Sequence, residues 1–300
     1  MRSLLLVPAS DTARIEKALK SGADAVVLDL EDSVPPEEKG RARANVRALL
    51  DEMEPRQPGA IAERGRKPEL IVRVNALDEA EFNADMVALL DNPPEALMLP
   101  KVCSIDCLDR LMRHVGPIPV IAIAGETPLG VLTMPSLAEE VPETLIGITW
   151  GMGDLAANLG ATTSRDENDM LTDPFRLART LCLLTARAAN VEPIDTVYLR
   201  YNDIEGLRRD CAAAFRDGFT GKLTLHPDQV PIINEAFTPT EEQIAKARSI
   251  IAAFEAKPKS GLVTVNGRIY DRPHLVRARR LLRRAARYGV LEPEEVGSFS

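Results

Sequence analysis

Polar and ionisable side chains stand at the ends of apolar, strand-like runs along this sequence. Buried strands have continuous apolar runs, and a charged group at the end of one costs free energy unless it is paired or lines a site. Two carboxylates, completed by water and substrate oxygens, are a common way for proteins to hold Mg²⁺. The pattern predicts a metal-dependent active site where the strands end. The residues concerned are Asp29, Glu31, Arg73, Asn75, Lys101, Glu126, Asp154 and His226.

Glu126 and Asp154 are the candidate metal ligands. They follow consecutive predicted strands, so their carboxylates can point into one opening. The alternative for each is helix capping, with Glu126 capping a helix that begins near Thr127 and Asp154 capping one that begins at Leu155. The occurrence of the two carboxylates as a pair favours Mg²⁺.

A second acidic group accompanies an arginine. Asp29 and Glu31 share one strand face by period-two alternation, so one can lie near the metal while the other orients Arg73. The Arg73 guanidinium, within a buried run, must be paired or bind an anion such as a carboxylate or a developing enolate. A purely structural ion pair with Asp29 or Glu31 stays open. Asn75 shares the face of Arg73 and is a candidate substrate contact.

Lys101 and His226 end the fourth and the eighth predicted strands. A lysine in a barrel opening can form a Schiff base if burial lowers its pKa, but nearby carboxylates would keep it charged. An electrostatic or structural role is therefore favoured for Lys101. His226 is a candidate ligand contact, with a hydrogen-bonded structural role as the alternative.

Strand and helix patterns alternate from Leu4 to about Phe237. The first strand is Leu4 to Val7, the seventh Asp195 to Leu199 and the eighth Lys222 to His226. Eight such units favour a closed (β/α)8 TIM barrel of the α/β class over residues 1–238. An open doubly wound sheet usually carries a glycine-rich first turn, which this chain lacks.

Composition excludes several classes of function. The net charge of -8 disfavours a nucleic-acid surface, and no apolar run is long enough to span a membrane. The N-terminus lacks the apolar core of a signal peptide, so we expect a cytoplasmic protein. The four cysteines show no zinc-site spacing. A Gly/Pro/Arg-rich insertion between Pro55 and Pro68 predicts a loop on the side away from the opening.

Residues 239–300 depart from the alternating pattern. Thr240 and Gln243 form a capping box, Asn266-Gly267 predicts a hairpin turn, and a basic helix is expected from Leu275 to Tyr288. This helix–hairpin–helix extension is predicted to be too small for a core of its own and to pack on the barrel or on a neighbouring subunit. By position alone, Asp271 is a helix N-cap.

A series of motifs spans nearly the whole chain: Arg2-Ser3-Leu4-Leu5, residues 24–32, Arg73-Val74-Asn75, Leu99-Pro100-Lys101, Glu126-Thr127, Gly153-Asp154-Leu155, residues 218–222, His226-Pro227 and Asp271-Arg272-Pro273-His274. They resemble the citrate lyase β-subunit-like family of carbon–carbon lyases, close to malyl-CoA and citramalyl-CoA lyases. The resemblance implies a (β/α)8 barrel that assembles as a homotrimer or hexamer.

The resemblance also implies roles for individual residues. Glu126 and Asp154 would hold Mg²⁺, and Arg73 would contact the substrate. Asp271 would reach the active site of an adjacent subunit, which replaces the capping interpretation. Arg14 matches a CoA-binding position. Ala9 stands where the family often has a glycine, and Ser10 or Asp11 stands where it often has an arginine.

The implied function is Mg²⁺-dependent, reversible cleavage of a β-hydroxyacyl-CoA thioester of the malyl-CoA or citramalyl-CoA type to acetyl-CoA and a 2-oxoacid. Arg73, Glu31 and Asp271 would be catalytic, with Asp271 moving the proton of the enolate. Asn75, Lys101, Asp29, Arg14 and His226 would bind substrate or CoA. The alternatives are a citrate lyase β subunit acting on citryl-acyl-carrier protein, and a malyl-CoA thioesterase.

Overall fold

The computed structural model describes residues 1–52 and 68–291. The predicted insertion loop lies outside the described residues except for Pro68, at its end. Two compact units are present. One extends from Met1 to Phe237 and the other begins at Thr238.

Eight parallel strands close into a barrel, in which β1 pairs with both β2 and β8. This confirms the predicted TIM-barrel fold. The strands are β1 (Ser3–Pro8), β2 (Ala25–Asp29), β3 (Glu69–Arg73), β4 (Ala96–Leu99), β5 (Val120–Ile123), β6 (Leu145–Thr149), β7 (Glu192–Asp195) and β8 (Gly221–Thr224).

The seventh strand lies earlier in the chain than predicted. Its register pairs Pro193 with Ile148, and the chain leaves the sheet after Asp195. Beyond that point the side-chain amide of Gln229 donates to the Tyr198 carbonyl at 3.0 Å, so a side chain takes the place of a strand neighbour. The apolar run 196–199 suggested a strand because it has the composition of one, but its backbone is bound in another way.

Helices surround the barrel, and none of those formed by residues 1–52 and 68–291 is long and apolar enough to cross a membrane. The helices of the first unit are α1 (Thr12–Leu19), α2 (Lys39–Asp51), α3 (Phe82–Leu89), α4 (Ile105–Val115), α5 (Pro128–Thr133), α6 (Met152–Leu159), α7 (Asp173–Ala188), α8 (Ile204–Asp217) and α9 (Val230–Phe237). Short 3₁₀ turns occupy Pro36–Glu38, Met134–Ala138 and Pro227–Gln229.

Alternate residues of each strand face the barrel interior and the surrounding helices. Leu4, Val27 and Ile71 belong to the inner apolar cluster, whereas Val26 and Leu70 belong to the larger cluster under the helices. The alternation along β2 and β3 therefore directs Asp29 and Arg73 inward at the carboxyl ends of their strands. A polar layer thus covers the apolar interior at this end of the barrel.

The second unit contains α10 (Glu241–Glu255), an antiparallel hairpin of β9 (Leu262–Val265) and β10 (Arg268–Asp271), and α11 (Arg272–Arg287). The predicted capping box at Thr240 is confirmed, and Asn266 and Gly267 have φ angles of 47° and 73° at the hairpin turn. The prediction that this segment is too small for an apolar core was wrong. Both helices and the hairpin contribute to one buried cluster, which includes Ile251, Phe254, Val263 and Leu282.

Candidate active site

The pairing of β2 with β3 places an aspartate beside an arginine. Asp29 and Arg73 are register partners, and the guanidinium donates from Nε to Oδ1 and from Nη2 to Oδ2, both at 2.7 Å. This bidentate geometry fixes the guanidinium plane. Burial opposes ionisation of Asp29, but the charge and hydrogen bonds of Arg73 outweigh it and lower the pKa of that carboxyl.

Glu31 follows two residues after β2, and its side chain is only 1% exposed. Its carboxylate lies between two cations, with Oε2 at 2.9 Å from Arg73 Nη1 and Oε1 at 3.0 Å from Lys101 Nζ. The N–H of Glu31 donates to Asp29 Oδ1 at 3.0 Å. One of these two acidic residues was predicted to orient Arg73, and in the structure both pair with it.

Lys101 stands where the chain turns sharply after β4, with a φ of 55°. Its N–H donates to Glu126 Oε2 at 2.6 Å, and its Nζ donates to Glu79 at 2.8 Å. Burial disfavours the charged amine, but the hydrogen bonds to Glu79 and Glu31 raise the pKa of Lys101. An amine held in the ammonium form is a poor nucleophile, which supports the electrostatic role over Schiff-base chemistry.

Glu126 and Asp154 occupy the ends of the fifth and sixth strand–helix units. Neither caps its helix, so the capping alternative was wrong for both. The hydroxyl of Thr127 accepts the Gly130 N–H at the start of α5, and Asp154 lies in the first turn of α6. Gly151 makes room for Glu126, because a Cβ there would lie 2.4 Å from Glu126 Cγ.

Three carboxylates of this opening have raised pKa values, whereas that of Asp29 is lowered. Burial, with the charges of Glu31 and Asp154, raises the pKa of Glu126 to about 8. Burial and the charge of Asp32 raise the pKa of Glu31 to about 7 and also raise the pKa of Asp154. A further cation near these groups would relieve their repulsion. We call Asp29, Glu31, Arg73, Lys101, Glu126 and Asp154 the mouth cluster.

The donor set fits a hydrated divalent cation. No group of three or more His, Cys, Asp or Glu side chains suited to a metal occurs within 1–52 and 68–291. Mg²⁺ needs no such group, since it is commonly held by one or two carboxylates with water and substrate oxygens. At the end of β6, Thr149 is fully buried and its hydroxyl has no hydrogen-bond partner among the described residues. That hydroxyl is a further oxygen at this end of the barrel.

Asn75 lies behind the mouth cluster and is fully buried. Its Oδ1 accepts from Lys39 Nζ at 2.5 Å, and its Nδ2 donates to the Leu30 carbonyl at 3.0 Å and to Asp85 Oδ2 at 2.7 Å. The amide is thus engaged by protein groups on both sides. The sequence had suggested a substrate contact, but the structure surrounds this side chain with protein partners.

Arg14 and His226 line clefts beside β1. Arg14 borders a cleft of about 480 Å³ with Ser10 and Arg41, and both Arg14 and His226 border a second cleft of about 290 Å³. Arg14 Nε lies 3.2 Å from Asp11 on the same helical turn. His226 stacks on Tyr201 with ring centroids 5.0 Å apart.

Asp271 lies in the second unit, where it caps α11. Its carboxylate accepts the His274 N–H at 3.3 Å and also bonds the His274 ring, so the N-cap that its position alone indicated is present, although the resemblance had replaced that interpretation. The hydrogen bond from His274 lowers the pKa of Asp271. Its carboxylate side chain remains 48% exposed, which leaves it accessible to another molecule.

A family model described as HpcH/HpaI aldolase/citrate lyase matches residues 2–227, most of the chain. The chain belongs to this aldolase/citrate lyase family. A second model, described as a C–C bond lyase of the TIM-barrel fold, matches residues 173–290. Both matches confirm the resemblance inferred from the motifs.

Individual relatives carry different activities. A (3S)-malyl-CoA thioesterase of Cereibacter sphaeroides is 36% identical over 286 residues, covering 95% of this chain and 94% of the relative. A mitochondrial citramalyl-CoA lyase of Mus musculus is 31% identical over 302 residues, covering 94% and 85%. The structure of CitE from Mycobacterium tuberculosis, in complex with magnesium, acetoacetate and coenzyme A, is similar with a TM-score of 0.78 and 32% identity, covering 95% and 98%.

Several residues around the site of this aldolase/citrate lyase family member were not anticipated from the sequence. Lys39 looks like an ordinary surface residue of an amphipathic helix, yet it is buried. Asp85 and Glu79 lie after β3 in a segment without strand character. Thr149 ends an apolar run as the other candidates do, so extending the search from ionisable to all polar strand ends would have found it.

Proposed function

We propose that this protein is a Mg²⁺-dependent carbon–carbon lyase that cleaves a malyl-CoA- or citramalyl-CoA-type thioester to acetyl-CoA and a 2-oxoacid. The observation that carries the proposal is the mouth cluster. Two carboxylates of raised pKa, Glu126 and Asp154, share one opening with the fixed cations Arg73 and Lys101. Membership of a family that includes a citramalyl-CoA lyase supports this reaction class.

Glu126 and Asp154 would hold the Mg²⁺. When bound, this ion would supply Lewis acidity toward the oxygens of the β-hydroxy acid. The backbone N–H of Lys101 donates to the Glu126 carboxylate and orients it. Gly151, which has no side chain, leaves space for the Glu126 side chain. Magnesium in the similar CitE structure supports the choice of ion.

Arg73 would stabilise the negative charge that develops on the thioester enolate as the carbon–carbon bond breaks. Its hydrogen bonds with Asp29 use two of its five N–H groups and Nη1 lies 2.9 Å from Glu31 Oε2, so N–H groups remain that can donate to substrate. Lys101 adds positive charge on the other side of Glu31. Because these partners hold the guanidinium in place, little reorganisation is needed when the charge appears.

Asp271 of an adjacent subunit would protonate the enolate, or remove the methyl proton in the condensation direction. Its exposed carboxylate at the end of β10, where α11 begins, supports this role. The protein would then act as a homotrimer or hexamer in the cytoplasm. Separate Asp271→Asn and Glu126→Gln variants should both be inactive, whereas co-expressed mixed oligomers should regain activity at sites built from one intact copy of each. No recovery in verified mixed oligomers would place both residues in one subunit.

Arg14 and His226 would contact coenzyme A along the clefts beside β1. The coenzyme A in the similar CitE structure supports a CoA thioester as substrate. Arg14 offers a charge for a phosphate and His226 a flat ring beside Tyr201. Arg14→Ala should raise KM for the thioester without an equal loss of kcat, because uniform binding is what it would lose.

Thioester hydrolysis is the second candidate, since a relative of 36% identity is a malyl-CoA thioesterase. The deciding experiment incubates purified protein with malyl-CoA or citramalyl-CoA, with Mg²⁺ or with chelator. Magnesium-dependent release of acetyl-CoA and a 2-oxoacid supports the lyase and identifies the oxoacid. Malate or citramalate with free CoA supports the thioesterase. Turnover of neither would overturn both and make citryl-acyl-carrier protein, the substrate of a citrate lyase β subunit, the next to test.

A further inference from the structure

Lys39, the first residue of α2, buries its ammonium group behind the mouth cluster and is 8% exposed. Nζ donates to the Leu30 carbonyl at 2.8 Å, to the Glu31 carbonyl at 3.0 Å and to Asn75 Oδ1 at 2.5 Å. These bonds use all three ammonium N–H groups. Burial of a charge costs free energy, and here the charged group binds two carbonyls and an amide and, among the described residues, no carboxylate. This arrangement indicates that Lys39 serves to fix the position of its three acceptors.

The side-chain amide of Asn75 connects Lys39 on α2 to Asp85 on α3. Its oxygen faces Lys39 and its nitrogen faces Asp85, an orientation set by chemistry because an ammonium only donates and a carboxylate only accepts. Asp85 on α3 also accepts the Asn75 N–H at 2.8 Å and pairs with Arg43, one turn along α2 from Lys39, at 3.2 Å. The network ties α2 and α3 to the end of β3.

The backbone of Glu31 is held at both ends by this arrangement. Its N–H donates to Asp29 Oδ1, and its carbonyl accepts from Lys39 Nζ. The preceding residue is held as well, since the Leu30 N–H donates to the Arg73 carbonyl at 2.9 Å. From this fixed main chain, the side chain of Glu31 extends to its place between Arg73 and Lys101.

We propose that Lys39 is a positioning residue that holds the Glu31 carboxylate between Arg73 and Lys101 and thereby keeps the mouth cluster in its reactive arrangement. Asn75 takes part as the link to Asp85. This role deepens the proposed function and rests on it for the kinetic measurements, whereas the hydrogen bonds of Lys39 do not depend on which reaction is catalysed.

The test is a double-mutant cycle of Lys39→Met with Glu31→Gln. Lys39→Met should lower kcat by about 10²-fold with little change in KM, since a displacement of about 1 Å can cost that much. If Lys39 acts through Glu31, adding Lys39→Met to Glu31→Gln should cost almost nothing further. Independent, multiplicative losses would overturn the proposal. If Lys39→Met does not fold, Lys39→Gln, which keeps amide donors, should show a smaller loss with the same coupling.

Asn234→Ala is the matched control. Asn234, a residue of α9, also bonds a backbone carbonyl and a side chain, with Nδ2 at 2.9 Å from Gly22 O and Oδ1 at 2.7 Å from Ser3 Oγ, but its contacts are with the start of β1. Asn234→Ala should lower the melting temperature and leave kcat within about twofold. An equal kcat loss in both variants, measured well below their melting temperatures, would show a general stability effect and overturn the positioning role.

Binding of Mn²⁺, followed by electron paramagnetic resonance, gives a readout that is independent of turnover. Lys39→Met should weaken Mn²⁺ binding by about tenfold, as loss of an outer support typically does, and the loss should again disappear in the Glu31→Gln background. Coupled Mn²⁺ binding without cleavage of either thioester would contradict the proposed reaction but sustain the positioning role. Unchanged Mn²⁺ binding with normal turnover would overturn the positioning role alone.

Discussion

Two clusters of buried charge lie on opposite sides of the barrel wall. The mouth cluster faces the interior opening, whereas a second group, which we call the wall cluster, lies between the strands and helices α7 and α8. The outward direction of the second group follows from alternation, because Asp195 and Lys222 each adjoin a residue of the inner apolar cluster. The wall cluster consists of Arg165, Arg179, Asp195, Asp210 and Lys222.

Each charged group of the wall cluster lies beside a group of opposite charge. Lys222 Nζ lies 2.7 Å from Asp210 and 3.4 Å from Asp195, and Arg165 lies 2.7 Å from Asp210. Burial opposes ionisation of Asp210, but Lys222 and Arg165 outweigh it and lower its pKa. The indole N–H of Trp150 also donates to Asp195 at 3.0 Å. The polar contacts of this cluster thus stabilise the charges of its own members.

The mouth cluster differs because its carboxylates outnumber their local cations. The pKa values of Glu31, Glu126 and Asp154 are raised, whereas that of Asp210 in the wall cluster is lowered. Comparable burial thus has opposite outcomes according to the partners available. Buried charge alone does not identify an active site. Buried carboxylates that repel one another are a better indicator, because a bound cation can neutralise their charge.

Removing a mouth carboxylate should have the largest effect on turnover. Glu126→Gln keeps the shape of the side chain but loses the charge proposed to hold Mg²⁺, so we expect cleavage to fall by about 10³-fold, or roughly 4 kcal/mol. The melting temperature should stay the same or rise, because a repelled carboxylate is removed. Steady-state kinetics and thermal unfolding test this. A fall in stability with normal turnover would make Glu126 a structural group like those of the wall cluster.

Removing a wall cation should have the converse effect. Lys222→Met removes the cation between Asp210 and Asp195 and leaves each aspartate with one arginine, Arg165 or Arg179, which we expect to cost roughly 3 kcal/mol in the free energy of unfolding. The kcat of the folded fraction should change little. Urea unfolding and kinetics below the transition measure the two effects. Arg208→Ala, which breaks an exposed pair with Glu235, is the control and should cost less than about 1 kcal/mol.

Adding one methyl group at Gly151 should test whether the position of the Glu126 carboxylate matters when its charge is retained. The Cβ of Gly151→Ala would meet Glu126 Cγ at 2.4 Å and push the carboxylate aside, whereas a Cβ at Gly153 meets nothing within 4 Å. We expect Gly151→Ala to reduce kcat by about 10²-fold. Gly153→Ala should be nearly neutral. Equal activity in both variants would show that the exact place of Glu126 does not matter.

The fold and the members of the mouth cluster could be predicted because they depend on local pattern. Apolar runs that end on polar residues place Arg73, Glu126 and Asp154 at one end of a barrel whatever the details of packing. The seventh strand was misplaced because the run 196–199 has strand composition, while its backbone partner, Gln229, is remote in sequence.

The supporting network could not be predicted, since its contacts depend on how helices pack. Nothing in the sequence around Lys39 distinguishes a buried ammonium from a solvated one. Asn75 was placed on the correct strand, but its partners Lys39 and Asp85 come from two different helices. The same limit applies to the wall cluster, whose charges belong to four separate elements and a loop.

The two clusters should also differ in how they make the free energy of unfolding depend on pH. A carboxyl of raised pKa binds protons more tightly in the folded state, so its contribution is complete below the ordinary pKa of 4.5 and is lost as pH rises through about 8 for Glu126. In the presence of chelator, the Glu126 carboxyl should therefore make the free energy of unfolding fall by about 3 kcal/mol between pH 5 and 8. Saturating Mg²⁺ should reduce the fall, because it binds the deprotonated form.

Glu126→Gln should reduce the slope of this profile in the presence of chelator, and the difference between the two proteins isolates this carboxyl from Glu31, whose raised pKa lies in the same range. Asp210 contributes with the opposite sign, since its lowered pKa stabilises the fold above its ordinary value of 3.8 and its contribution is lost only as pH falls further. The wall cluster should therefore add no slope above pH 5. An identical profile for wild type and Glu126→Gln would remove the electrostatic distinction between mouth and wall.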